Sequence, residues 1–307
     1  MVTVLVVRPD DGDSTANGGP EDTKSEFASV IDKGPVEIIT EDPTCDAWNN
    51  IAGQYSQAAD AVNWEDRDFN IPASSWTPEQ RSMYEAVGKA MTQAIDNSAK
   101  LAVETPHRVM RVLYEQFIAY TRAFIDRLPS YVAEDDNFVA ASNGAGGSIS
   151  NICGAIAYRS AQSIAPMVPP ASDPIEVVAP QDPKAPTPFI TEPNTACDDW
   201  LSLATKFSDD TAAWRETNKS VSAAEWDPTQ RSINEAVGPI MSTNAEEMER
   251  LGERSNNGAF DDIASLAAQY RRGFVAALPN YKAADSYLEL TATNLVRLIN
   301  WACQAPL

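Results

Sequence analysis

Apolar residues recur along most of this chain at steps of three and four, the spacing that lines one face of a helix. The most regular run is Met110, Leu113, Phe117, Tyr120, Phe124 and Leu128. A second run follows it downstream: Phe260, Ile263, Ala267, Tyr270, Phe274 and Leu278. Each is preceded by another helical pattern, Met83, Val87, Met91, Ile95, Ala99 in one place and Ile233, Val237, Met241, Ala245, Met248 in the other. The start signals of these preceding helices are explicit. Thr77 or Asp227 stands at the cap, Pro78 or Pro228 at the first helical position, and Gln80 or Gln230 three residues past the cap. That pattern predicts a capping box, with proline where its missing N–H costs nothing. Pro129 and Pro279 end the regular runs. Further helices are predicted near Cys45 and Cys197, and around Cys153 and Cys303. In the last of these, Leu288, Thr291, Leu295, Leu298 and Ala302 share a face. Its counterpart contains Asn143-Gly-Ala-Gly-Gly147, which predicts a broken or late-starting helix. Alternating patterns never last beyond a few residues, so residues 2–7 and 36–39 make short strands at most.

The two sets of helices are copies. Trp76-Thr-Pro-Glu-Gln-Arg81-Ser82 recurs as Trp226-Asp-Pro-Thr-Gln-Arg231-Ser232, and Glu85-Ala-Val-Gly88 as Glu235-Ala-Val-Gly238. Tyr120-x-Arg122 recurs as Tyr270-x-Arg272, and Leu128-Pro-x-Tyr131 as Leu278-Pro-x-Tyr281. These pairs, with Trp64/Trp214 and Cys153/Cys303, are 150 positions apart. Upstream, Cys45-Asp-Ala-Trp48 matches Cys197-Asp-Asp-Trp200 at 152. A period this long marks a duplicated domain and not a solenoid of short units. The fold expected is therefore all-α: two tandem homologous four-helix bundles, residues 42–167 and 194–307. Residues 168–193, rich in proline, read as an extended linker. Residues 1–41 read as the end of a truncated membrane helix (Met1–Val7) followed by an acidic stalk.

Charge narrows the function. The chain of 307 residues carries 23 Lys and Arg against 44 Asp and Glu, a net charge of -21. Nucleic acid and anionic lipid surfaces are bound mainly through cations, so both are excluded as principal partners. There are four cysteines, and the duplication selects one pairing, Cys45–Cys153 and Cys197–Cys303, each within a repeat. None of them has a second Cys or a His at ligand spacing, so no metal or cofactor is expected. Disulfides of this kind belong to an oxidising compartment.

An apolar end, an acidic stalk, and Ala-, Asp- and Arg-rich helical domains with one cysteine pair each resemble the extracytoplasmic part of actinobacterial, mycobacterial-type, single-pass cell-envelope membrane proteins with a Pro-rich segment. The resemblance implies a location outside the plasma membrane, anchored by an N-terminal helix, and carries over no catalytic residues.

Chemistry is sparse. The one histidine, His107, opens a helix and is matched by Asn257, so base-assisted nucleophilic catalysis has no repeated base. The glycines at 144–147 lack the Lys-Ser/Thr and the preceding strand of a phosphate loop. What recurs is aromatic, arginine and one acid. Trp76, Arg81, Glu85 and Arg122, with Trp226, Arg231, Glu235 and Arg272, are the interaction candidates, because Trp, Tyr and Arg dominate protein interfaces. Their structural alternative is that the rings seal the bundle, Glu85 pairs with Arg81 one turn away, and Arg122 pairs with Glu85 or an equivalent. The expected function is a non-enzymatic interaction or scaffold module of the cell envelope with a protein partner. The alternative is a carrier or sensor for a lipid, glycan or other small molecule, with the ligand held between helices.

Overall fold

The computed structural model describes residues 27–306. The apolar end Met1–Val7 and most of the acidic stalk lie outside the described residues. Among those described, all regular structure is helical. Repeat 1 contains α1 (Cys45–Asp60), α2 (Pro78–Glu104), α3 (Arg108–Arg127) and α4 (Asp136–Ala157), followed by the short α5 (Ser160–Ile164). Repeat 2 contains α6 (Cys197–Asp210), the short α7 (Ala212–Arg215), α8 (Pro228–Arg254), α9 (Gly258–Ala277) and α10 (Ser286–Gln304). Both disulfides join the first and last long helices of a repeat, Cys45–Cys153 and Cys197–Cys303.

The helix starts follow the sequence closely. At α2 both halves of the capping box form: the Gln80 N–H donates to Thr77 Oγ1, and the Thr77 N–H to Gln80 Oε1. At α8 only the first half forms. Asp227 accepts from the Gln230 N–H, but the Gln230 amide turns away to the Asn218 carbonyl at 3.0 Å.

The expectation of a broken fourth helix is corrected. α4 runs unbroken through Asn143–Gly147, because its glycines are covered by a neighbouring helix. A Cβ at Gly144 would lie 2.6 Å from the Leu298 backbone nitrogen, one at Gly147 2.8 Å from Asn294, and one at Gly154 2.4 Å from Tyr287. The stripe lets α4 and α10 approach backbone to backbone, and the burial so gained offsets the helix propensity that glycine lacks. As the α4 number rises the α10 number falls, so the two helices run antiparallel. Asn137 at one end reaches the Gln304 carbonyl, and Tyr158 at the other stacks on Tyr287. Two copies meeting antiparallel through the same helix are related by an approximate twofold axis.

The repeats accordingly share a core, and the picture of two self-contained bundles is revised. One continuous cluster of buried side chains runs from Trp48 and Trp64 through α3 and α9 to Trp200 and Trp214. Every residue of α3 from Arg108 to Thr121 is buried, and every residue of α9 from Gly258 to Arg271. A single apolar stripe predicts one buried face. The additional faces are covered by the other repeat and by two extended straps.

Those straps are segments that read as stalk and linker. In the first, Val36, Ile38 and Ile39 are buried, the Val36 carbonyl accepts from the Ala171 N–H, and the Ile39 carbonyl accepts from the Tyr270 hydroxyl. In the second, Phe189 and Ile190 are buried. Extended chain has no internal hydrogen bonds, so its buried backbone needs partners from elsewhere. Polar side chains of α3 and of the residue capping α9 supply them. Arg111 donates to the Val178 carbonyl, Glu115 accepts from the Gln181 N–H, Gln116 accepts from the Phe189 N–H, and Asn257 donates to the Phe189 carbonyl.

Candidate functional site

The recurring Trp–Arg motif locks a loop in the same way in both repeats. Trp76 donates its indole N–H to the Ile71 carbonyl at 2.9 Å and stacks on Tyr84, with centroids 3.9 Å apart. Arg81 lies over the indole, 5.8 Å from the ring centre, and donates to the Ala73 carbonyl. In repeat 2, Trp226 donates to the Val221 carbonyl at 3.0 Å and stacks on Tyr281. Arg231 sits 6.0 Å from that ring and donates to the Ala223 carbonyl. These four residues have a structural duty: they hold the turn that delivers the chain into α2 or α8.

Glu85 and Glu235 have none. Both are exposed, and neither forms an ion pair or hydrogen bond within the described residues. The expected Glu85–Arg81 pair is absent because the guanidinium turns back to its loop carbonyl. Arg122 is half-buried and makes no ion pair among the described residues, so it does not join Glu85 either. Its match, Arg272, clamps Glu249, with Nη2 to Oε2 at 2.6 Å, and those hydrogen bonds hold the guanidinium pKa above its ordinary value. Repeat 1 has Ala99 where repeat 2 has Glu249, which explains why only one of the two arginines is paired.

Charge is also buried between the repeats. Arg108 of α3 meets Asp262 of α9, Nη2 to Oδ1 at 2.9 Å and Nε to Oδ2 at 3.0 Å, both side chains 1% exposed. Burial pushes the Asp262 carboxyl up to about 6, and the adjacent guanidinium pulls against that shift. Burial likewise raises Glu115, although Arg111 holds it at 2.9 Å. Neither ion pair is repeated: Asp262 occupies the place of Val112, and Gly258 the place of Arg108.

A concavity lies in repeat 2, between α6, α8, α9 and α10. It is a cavity of about 240 Å³ whose lining includes Trp200, Phe207, Trp214, Asn244, Arg271 and Asn300. In its lining the Arg271 guanidinium lies 3.9 Å from the Phe207 ring centre and donates through Nη1 to Asn244. Burial lowers its pKa to about 10, and Glu289 partly opposes that shift. An apolar groove of about 450 Å³ adjoins it across Phe207 and Asn244, reaching Pro239 and Ile240. Arg271 was not among the residues singled out from sequence. It is the unmatched neighbour of Arg272, and a search for likeness between the copies passes over it. The signal was in the differences: Asn244 and Arg271 replace Ala94 and Thr121 at interior helix positions.

Comparison with known proteins gives two matches. The sequence model of a family described as "Mycobacterial ESX-1 associated protein" matches residues 27–307. An uncharacterised protein of Mycolicibacterium smegmatis (strain MKD8) is 43% identical over 309 aligned positions, spanning 99% of this chain and 81% of the relative. No solved structure matches.

Proposed function

The chain belongs to the mycobacterial ESX-1 associated protein family, and from that premise we propose that it is a non-enzymatic, extracytoplasmic module that docks a protein partner within the ESX-1 secretion system. One observation carries the docking reading. Ser82, Glu85 and Ala86 are exposed, their side chains bond to nothing among the described residues, and they recur as Ser232, Glu235 and Ala236, which are also exposed and whose side chains are likewise unbonded there. The positions between them have drifted, Met83-Tyr84 becoming Ile233-Asn234. A buried match between copies reports the fold. An exposed match with no internal duty is better explained by something outside the protein. Two such faces on one body allow bivalent engagement, in which a first contact raises the effective concentration of the second. Two disulfides in a chain with no free cysteine among the described residues suit an oxidising, extracytoplasmic setting.

The test is site-specific photo-crosslinking in living mycobacteria. A photoreactive residue replaces Glu85 or Glu235, with exposed Glu104 as control. The reading expects the same ESX-1 component captured from 85 and 235 and not from 104. Adducts missing from both sites, or the same adducts from the control, would contradict it.

A further inference from the structure

The repeat-2 cavity has polar groups that nothing among the described residues satisfies. Arg271 is 2% exposed, and its Nε is buried without a hydrogen-bond partner. Its Nη1 is taken by Asn244, while Nη2 bonds to no group, so the Nε–Nη2 edge of the guanidinium is unpartnered among the described residues. The indole N–H of buried Trp200 is also unpartnered, as is Asn300 Oδ1. All three residues line the one cavity. Buried donors left unpaired are costly, and a guanidinium especially so.

Repeat 1 shows how the same site looks when closed. There Trp48, the match of Trp200, gives its indole N–H to Ser150 Oγ at 2.9 Å. Thr121, at the place of Arg271, is satisfied by Ser142 at 2.5 Å. Ala94 stands for Asn244, Val139 for Glu289 and Ser150 for Asn300. The corresponding hollow of about 150 Å³ has no charged residue in its lining. Repeat 2 thus carries polar and charged groups around one hollow that repeat 1 lacks, and several of them are unmatched among the described residues.

The chemistry of the lining defines what would match them. Arg215, Arg271 and Arg297 line the cavity against the single acid Glu289, a local positive excess in a protein of net charge -21. The free Nε–Nη2 edge is the fork that binds a carboxylate through two parallel hydrogen bonds. Around it stand the apolar surfaces of Trp200, Phe207, Trp214 and Met248. We propose that this cavity is a binding site for a small organic monocarboxylate with a planar apolar body, whose carboxylate takes the open edge of Arg271 and the indole N–H of Trp200. Asn300 Oδ1 is left for a donor on that body. The site is independent of the docking faces on α2 and α8, so either assignment can fail without the other.

The probe is benzoate, with neutral benzamide of the same shape as control, added to the disulfide-intact protein. The readout is the Trp200 indole N–H resonance. Benzoate should shift it saturably, benzamide should not, and the Trp48 resonance should stay still. Arg271→Met should weaken benzoate at least tenfold, with Arg271→Lys in between, because lysine keeps the charge and loses the fork. Ala204→Phe, on the half-buried rim, should abolish binding with the cation left in place, which covers the case in which Arg271→Met fails to fold. Equal shifts from benzoate and benzamide, no saturable shift at millimolar benzoate, or full binding by Ala204→Phe would overturn the site.

Discussion

The two repeats carry the same capping motif, the same disulfide and the same loop lock, yet they treat their interiors differently. Repeat 1 closes its hollow with an internal hydrogen bond from Trp48 to Ser150. Repeat 2 keeps a larger one around the buried Arg271. The shared features sit where each copy must fold, at helix starts and loop closures. The divergent features sit where the copies meet or where space is left between helices. The comparison teaches that likeness between copies reports the scaffold, whereas difference reports what each copy has been freed to do.

The largest test of this division concerns the charge shared between copies. Asp262→Val gives repeat 2 the residue found in repeat 1 and removes the buried partner of Arg108, leaving it only the more exposed Asp32 at 3.6 Å. A loss of about 3 kcal/mol is expected in urea unfolding, the cost of a buried charge whose partner is removed. Replacing both, Asp262→Val with Arg108→Leu, should recover most of it. A single change as harmless as the double would mean that the pair does not bind the repeats together.

The helix seam comes next. Gly144→Val places a side chain against the Leu298 backbone and should cost about 2 kcal/mol as overpacking. A Cβ at Gly53, on the outer helix α1, would meet nothing within 4 Å. Gly53→Ala should therefore add about 0.5–1 kcal/mol through helix propensity alone. Equal effects at the two glycines would deny the seam its special role.

Arg271→Met should raise the stability of the ligand-free protein by about 1 kcal/mol, since it replaces a charge without an ion pair by an apolar chain of similar length. A clear loss would show that the guanidinium is structural.

The smallest effect is on pH. Burial holds Asp262 near 6 in the folded protein, above its ordinary 3.8. The folded state therefore binds this proton more tightly than the unfolded state, and the carboxyl's contribution to stability falls as pH rises through that interval. Urea midpoints should be slightly higher near about pH 5 than near about pH 8, and Asp262→Val should flatten that difference. The opposite slope would show that pairing with Arg108 outweighs burial.

Much of the scaffold was legible because its signals are local or paired. The capping motifs, the prolines closing α3 and α9, and the cysteine pairing needed only neighbouring residues or the repeat itself. The glycines of α4 misled because their compensation lies on α10, about 150 residues away in sequence. The straps misled for a similar reason. Proline-rich chain looks like a spacer until buried side chains such as Arg111 and Gln116 are seen to take up its backbone. Among the interaction candidates, Trp76 and Arg81 hold a loop, and Glu85 and Glu235 have no side-chain partner among the described residues. Arg271 was hidden because its environment, and not its spacing, makes it unusual.

The central claim is that two copies joined by a proline-rich segment form one cooperative body about the α4–α10 seam. Scanning calorimetry of the disulfide-intact protein tests it most directly. The account predicts a single transition whose calorimetric and van't Hoff enthalpies agree. Two resolved transitions, one for each repeat, or a calorimetric enthalpy well above the van't Hoff value, would show that the repeats fold apart and would contradict it.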